Sequence, residues 1–273
     1  MTGTLYIVAT PIGNLEDITH RALRVLKEVD WIASEDTRQT RKLLDHFGIT
    51  TPQLSYHEHN ERERATQLIE KLAAGINIAL VSDAGTPLIS DPGYRLVREA
   101  IEAGITVVPL PGPSAAVAAL SASGLATDQF RFCGFLPAKG TQRRKLLEEQ
   151  KHETCTLIYY ETPHRILEAL ADIDATLGAR QVVVAREVTK MHEEFLRGTA
   201  AEVMAVLGAR PSVKGEITLM IARATVPEVS AVPIPQAVRA LESAGMARMD
   251  AIKQIARERG LPKREVYRSM EET

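Results

Sequence analysis

Three short segments of this 273-residue chain place glycine and proline directly after apolar, β-branched runs. They are Ala9-Thr10-Pro11-Ile12-Gly13-Asn14, Ser82-Asp83-Ala84-Gly85-Thr86-Pro87 and Leu110-Pro111-Gly112-Pro113-Ser114-Ala115. Glycine lets a ligand approach the backbone closely, and proline stiffens the loop around it. Asp83 offers a carboxylate to a hydroxyl or amine, while Thr86 and Ser114 offer hydroxyls to a carboxylate or an adenine edge. A single loop of this kind reads as a turn. Three of them, each at the carboxyl end of a strand-like run, read as a ligand site, because open α/β sheets bind ligands there. The chain has no Gly-x-Gly-x-x-Gly opening a helix and no Gly-x-x-x-x-Gly-Lys-Ser/Thr, which disfavours a dinucleotide enzyme and a P-loop nucleotidase.

Other polar groups are candidates for different chemistry. His57 and His59, with Glu58 and Glu61, have the strand spacing of a zinc pair. No further ligand pattern accompanies them, so a polar, substrate-facing loop is favoured and no metal is expected. Arg38, Arg41 and Lys42 fall at i, i+3 and i+4, which puts three positive charges on one helical face. Arg143-Arg144-Lys145 is a second cationic run, and Lys263 with Arg264 opens the last helix. Such groups contact phosphates or simply form solvated helix faces.

The elements that must position these residues alternate. Helix-like segments stop at Gly48, Gly75, Gly104, Gly124, Gly178 and Gly208, and strand-like runs cover Leu5–Ala9, Trp31–Ser34, Gln53–Tyr56, Asn77–Val81, Thr106–Leu110, Thr156–Tyr160 and Gln181–Ala185. Alternation of this kind predicts α/β layers around a largely parallel sheet. Beyond Phe130 the pattern loosens. Glu193–Gly198 and Glu216–Arg223 flank a helix-like Ala200–Leu207, predicting a second sheet with antiparallel pairing. The expected organisation is an α/β lobe over 1–115, a second over 116–226, and a helical tail over 236–273 after a proline-rich linker at 225–235. The lobe boundary falls within 112–136. In the tail, Gln236–Ser243, Arg248–Arg259 and Lys263–Met270 read as three short helices with a turn at Gly260-Leu261-Pro262, the outline of a helix-turn-helix or of a plain capping bundle.

Composition is ordinary for a globular protein, with 45% hydrophobic and 25% charged residues. Aromatics make up only 4%, so the core must be aliphatic. A net charge of −2 neither advertises nor excludes a nucleic-acid partner. Two cysteines cannot build a disulfide framework, and no apolar run approaches the roughly 20 residues of a membrane span. A soluble, cytoplasmic protein is expected.

The runs ATPIGNLEDI (9–18), SEDTR (34–38), VSDAGTPLISDPG (81–93) and PGPSA (111–115) resemble those of the tetrapyrrole-methylase superfamily. ETPHR (161–165) and REVTK (186–190) also resemble runs of its RNA-methylating branch, which ETPHR and SEDTR separate from the porphyrin and corrin methylases, and the resemblance spans essentially the whole chain. It implies two α/β lobes with S-adenosyl-L-methionine in the cleft between them, and usually a homodimer. Pro11, Gly13, Asp83, Ala84, Gly85, Thr86, Pro87, Gly112, Ser114 and Ala115 would then line the cofactor, with Tyr160 and residues near Glu187 and Gly215 from the second lobe. The implied reaction is methylation of a cytidine ribose 2′-hydroxyl in the decoding region of the small ribosomal subunit's RNA. A proton acceptor would help so poor a nucleophile. Glu35, Asp36, His57, Glu161 and Glu187 are candidates, and Glu35, Asp36 and Glu161 are preferred because they lie in branch-specific runs at strand ends. Asp36 is equally an N-cap for the helix that follows it. Arg38, Arg41, Lys42, Arg165, Lys263 and Arg264 would hold the RNA. Two other readings stay open: a tetrapyrrole methylase of the same superfamily, and a non-enzymatic RNA-binding or assembly factor.

Overall fold

The computed structural model describes residues 2–224, 232–259 and 261–271. Its first sheet contains β1 (Thr4–Val8), β2 (Trp31–Ser34), β3 (Gln53–Ser55), β4 (Ile78–Val81) and β5 (Thr106–Leu110), in the order β3-β2-β4-β1-β5. Every neighbouring pair is parallel. The crossovers carry helices α1 (His20–Glu28), α2 (Thr37–His46), α3 (Glu61–Ala73) and α4 (Tyr94–Glu102). Successive strand residues point to opposite faces. Leu5, Ile78 and Leu80 accordingly pack with Leu68, Leu72 and Leu96 of α3 and α4, whereas Val8, Ala79 and Val81 pack with Val25, Leu26 and Leu44 of α1 and α2. Helices on both faces explain why these strands read as continuous apolar runs.

The strand order decides where the three loops go. β4, β1 and β5 are adjacent, so the segments that follow them emerge side by side at the carboxyl edge.

The second sheet contains β6 (Phe130–Phe135), β7 (Thr156–Glu161), β8 (Gln181–Arg186), β9 (Glu194–Thr199) and β10 (Ile217–Ile221), in the order β6-β7-β10-β8-β9. β6 and β7 run parallel, and the remaining pairs are antiparallel. Helices α6 (Gly140–Glu149), α7 (Ile166–Leu177) and α8 (Ala200–Gly208) cover one face, against Leu157, Tyr159, Val182 and Leu219. The other face receives α5 (Ala115–Ser123), whose Ala116, Ala119 and Leu120 meet Ile158, Val183 and Met220. Ile12, from the loop after β1, joins that same cluster. The helix leaving the third loop and a side chain of the first therefore tie the two sheets together.

Two details depart from the sequence expectations. β6 lies inside the segment read as a lobe boundary. Its register shifts between Phe132 and Phe135 around Gly134, which has a φ of 69°, and as a half-exposed edge strand it has no clean alternation. Arg143 is not a surface cation. It is 2% exposed, with Nε donating to Asp172 at 2.7 Å, and Arg144 donates to the other carboxylate oxygen at 2.9 Å.

A second compact unit takes in residues 152–154 and the described part of 223–273. Its helices are α9 (Ile234–Ser243), α10 (Arg248–Glu258) and α11 (Lys263–Glu271), closed around Val238, Ala251, Ile252, Ile255 and Val266. Ala251, Ile252, Ile255 and Ala256 fall at helical spacing on one side of α10 and form the centre of this small core. The linker residues 225–231 and Gly260 of the expected turn lie outside the described residues.

Breaking one side of a buried ion pair strands the other charge. Asp172→Ala should therefore lower stability by about 3 kcal/mol, read as a drop in the denaturation midpoint at unchanged slope.

Candidate active site

The three loops are knit into one platform. Thr10 N–H donates to the Gly85 carbonyl at 2.8 Å, and Gly85 N–H returns the bond to Thr10 at 3.0 Å. The Thr86 hydroxyl donates to the Pro113 carbonyl at 3.0 Å, joining the second loop to the third. Gly112 completes the contact between third and first, because a Cβ there would stand 2.7 Å from Ala9 Cβ. The glycines of these loops thus make room for neighbouring side chains, Gly112 for Ala9 and Gly85 for Ile12.

Above the platform lies a cavity of about 360 Å³. The first sheet's side supplies Ile12, Ala84, Gly85, Thr86, Ser114 and Ala115, together with Ile89, Ser90 and Asp91 from further along the second loop. The second sheet supplies Tyr160 and Glu161 from the end of β7, then Ile217 and Thr218 opposite them on β10. Phe135, Thr162, Pro163, Val188, Gly215 and Glu216 complete that side. Phe132 and Phe135 meet Tyr160 edge-on, at centroid distances of 4.8 and 5.8 Å, and hold its ring against the cavity.

Among the described residues, four non-glycine residues have positive φ: Leu88 and Ser90 on one side, Glu187 and Thr189 on the other. Each pair brackets an aliphatic wall residue, Ile89 or Val188. Strained backbone of this kind clusters at ligand clamps.

The residues expected at the cofactor divide into walls and supports. Ala84, Gly85, Thr86, Ser114, Ala115 and Tyr160 line the cavity. Pro11, Gly13, Asp83, Pro87, Gly112 and Glu187 lie outside its lining. Asp83 Oδ1 accepts the Asp36 backbone N–H at 3.0 Å and so anchors the start of α2. Glu187 stands directly behind Gly215, whose Cβ would be 2.5 Å from the Glu187 carboxyl carbon. Ile89, Ser90, Asp91, Phe135, Val188, Glu216, Ile217 and Thr218 were not singled out from the sequence. Ile89, Ser90, Asp91 and Val188 lie within the quoted runs, Glu216, Ile217 and Thr218 open the strand-like run at 216–223, and Phe135 carried no signal because its strand was not read from the sequence.

The carboxylates differ sharply in environment. Asp36 is the N-cap of α2, accepting from Arg38 N–H at 2.8 Å, and its carboxylate is gripped by the Arg38 guanidinium. Those bonds hold its pKa at about 2. Glu35 is pushed up by burial and then by the charges of Asp91 and Asp83, but it does not line the cavity. Glu161 does line it. Its side chain is fully covered, with Oε1 accepting Thr162 N–H at 2.7 Å and Oε2 facing Arg165 at 3.3 Å; burial raises its pKa despite these partners. Asp91 is half-buried and lines the cavity. Burial raises its pKa too, against a lowering hydrogen bond from Ser82, with the neighbouring Asp83 charge adding to the rise.

The expected RNA contacts are equally uneven. Arg38, Arg41 and Lys42 share the exposed face of α2, next to the second loop, and each also has a short-range partner: Asp36, Asp45 or Gln39. Arg165 is turned inward to Glu161 and the Leu136 carbonyl. Lys263 and Arg264 are exposed at the start of α11. His57 is bonded to Asn60 through its ring, and among the described residues no group of three His, Cys, Asp or Glu side chains converges as a metal site.

The tetrapyrrole (corrin/porphyrin) methylases match this chain over residues 4–204. A ribosomal RNA small subunit methyltransferase I from Halalkalibacterium halodurans is 54% identical over 273 residues, covering 97% of this chain and 93% of that protein. The protein of the same name from Synechocystis sp. is 52% identical, covering 97% and 96%. Among solved structures, uroporphyrin III C-methyl transferase from Thermus thermophilus aligns with a TM-score of 0.57 at 18% identity, covering 81% of this chain and 97% of that one. Diphthine synthase aligns with a TM-score of 0.59 at 15% identity, covering 81% and 90%. Those two likenesses carry the fold alone. The two-sheet architecture, the platform of three loops and relatives matched along nearly their whole length lead to one assignment: the chain belongs to the tetrapyrrole (corrin/porphyrin) methylase family.

Proposed function

We propose that the cavity binds S-adenosyl-L-methionine and that the protein methylates the RNA of the small ribosomal subunit. The observation that carries the reading is a cavity walled by both sheets, with apolar surfaces and hydrogen-bonding groups side by side, in a chain so similar to small-subunit RNA methyltransferases. The residues present fit the cofactor. Ile12, Ile89, Val188 and Tyr160 supply flat apolar walls for an adenosine, while Thr86, Ser114, Asp91 and Glu216 supply hydroxyls and carboxylates for an amino-acid end and a cation. Asp83, Pro87, Pro11, Gly13, Gly112 and Glu187 support those walls from behind. When bound, the cofactor supplies a methyl group already activated by a positively charged sulfur.

The protein's own task is to hold an acceptor hydroxyl in line and to take its proton. We assign the acceptor as a cytidine 2′-hydroxyl in the decoding region, and the protein as a homodimer acting on the assembled subunit. Asp91 is the group suited to receive the proton, because it lines the cavity and remains within reach of solvent. Glu161, fully enclosed and bonded to Arg165, sets the end of β7, while Glu35 and Asp36 shape the start of α2. Arg38, Arg41 and Lys42 contact phosphates near the cavity, and Lys263 and Arg264 are the RNA-contacting cations of the helical unit.

Labelled S-adenosyl-L-methionine and undermodified small subunits should yield a 2′-O-methyl mark on one cytidine of the small-subunit RNA. Label in a tetrapyrrole and none in RNA would establish the small-molecule reading instead. Cofactor binding without transfer to either would leave an assembly factor.

The proton acceptor has its own test. Asp91 must be ionised to act, and its pKa is raised, so kcat should climb with pH through a value above the ordinary aspartate range. The same shift has the opposite sign for stability. Between the ordinary and the raised pKa the folded protein binds more protons than the unfolded chain, so stability falls as pH rises through that window and stays lower above it. Asp91→Asn should cut kcat by about 10²- to 10⁴-fold, abolish the acid limb, and leave a melting temperature at neutral pH no lower than that of the native protein. If Glu161→Gln removes the acid limb and Asp91→Asn does not, Glu161 is the acceptor.

Deleting residues 236–273 should raise the Kd for the small subunit and flatten its salt dependence while cofactor affinity is kept. Unchanged subunit affinity would remove RNA contact from the helical unit.

A further inference from the structure

Lys190 follows β8 and belongs to the second sheet, yet its stem lies across a loop of the first. A Cβ built on Gly13 would stand 2.3 Å from Lys190 Cγ, 2.7 Å from Cε and 2.9 Å from Cδ. Gly13 has a φ of 153°, and the absence of a side chain there is what gives the lysine stem its bed. At the far end, Nζ donates to Glu187 Oε1 at 3.0 Å and to Glu216 Oε2 at 2.9 Å. Glu187 Oε1 also accepts the Glu216 backbone N–H at 2.8 Å. The side chain is thus laid over one lobe's first loop and fastened at its tip to the other lobe's rim.

Both ends of this contact adjoin walls of the cavity. Ile12, next to Gly13, lines it from the first sheet, while Val188, Gly215 and Glu216 line it from the second. Glu187 and Thr189 hold positive φ on either side of Val188, so the segment bearing Lys190 is fixed in conformation rather than draped loosely. The side chain is about a quarter exposed, at 26%, and Glu187 is 19% exposed, which leaves that pair only partly screened, whereas Glu216 is open to solvent. Burial opposes its charge, but the two carboxylates outweigh it and hold the ammonium above its usual range. Lys190 has no place among the walls themselves.

We infer that Lys190 is a positioning residue: an interlobe staple that sets the spacing between Ile12 and the Val188–Glu216 rim, and through it the fit of the cavity to its cofactor. The inference rests on the reading of the cavity as an S-adenosyl-L-methionine site. It makes Gly13 and Lys190 one device, which separates it from a merely structural ion pair. Lys190→Met keeps the stem but loses both Nζ bonds; Lys190→Ala removes the stem as well.

The test begins with the full-length protein free of cofactor. Lys190→Met should speed amide hydrogen exchange at Ile12, Gly13 and Asn14 while the helices of the second unit exchange at the native rate. Unchanged exchange at those three positions overturns the staple, whatever the cavity binds. With S-adenosyl-L-methionine as the titrant, Lys190→Met should raise Kd by about tenfold while kcat at saturation changes little, and Lys190→Arg should recover most of the affinity. Lys145→Met, which removes an 80% exposed lysine on α6, should leave Kd unchanged. Gly13→Ala should raise Kd in the native background by a larger factor than in Lys190→Ala, where the stem it would strike is gone. Equal factors in the two backgrounds, or native affinity in Lys190→Met, would overturn the proposal. Failure of the native protein itself to bind S-adenosyl-L-methionine would instead sink the cofactor reading and leave the exchange result to judge the staple.

Discussion

The candidate site depends first on two backbone hydrogen bonds, exchanged between Thr10 and Gly85. Parallel strands deliver their following loops to one edge, but they do not fasten those loops to each other. β1 and β4 are parallel neighbours in the sheet, so the two segments leave it close enough to form an isolated antiparallel bridge beyond it. That bridge turns two separate turns into a floor. Thr86 then reaches the Pro113 carbonyl and brings in the third loop, whose chain continues directly into α5. Since α5 packs on the second sheet, the third loop of the floor and the joint between the sheets are made from one continuous stretch of chain.

This arrangement divides labour between side chains and backbone. Most of the glycines and prolines that draw the eye in the sequence build the floor and do not face the cavity. Gly112 is there so that Ala9 can come close, and Gly13 so that Lys190 can. The groups that do face the cavity are more ordinary: isoleucines, a valine, hydroxyls, a tyrosine and one accessible aspartate. Charge is distributed with similar economy. Asp36 and Asp83 organise the start of α2, Glu161 and Glu187 are engaged within the second lobe, and Asp91 is left facing the space between the sheets.

Much of the fold was legible because its physics is local. Alternation of apolar runs with glycine-stopped helices marked β2 and β5 to the residue, β3 and β4 one residue long, and β1 shifted by one. The antiparallel part of the second sheet was legible as well. β6 escaped because a bulged, half-exposed edge strand carries no periodic signal. The site was legible only in outline, since strand ends predict loops and not what the loops enclose. Asp91, Ile89 and Val188 reach the cavity through positive φ at neighbouring residues, which residue type does not announce for Leu88 or Thr189. The run at Arg143 misled for the opposite reason. Its charge pattern matches a solvated helix face, and only the position of Asp172 one helix later draws Arg143 inward.

The two strained turns have a consequence for how tightly a small molecule can be held. Ile89 and Val188 are presented to the cavity by backbone conformations that the fold enforces, on opposite sides of the space. Walls fixed in this way are in place before any ligand arrives. Their loss of conformational freedom belongs to folding and is not charged again to association. The trade is a slightly less stable protein with a preorganised mouth, and it leaves the free energy of contact available for affinity.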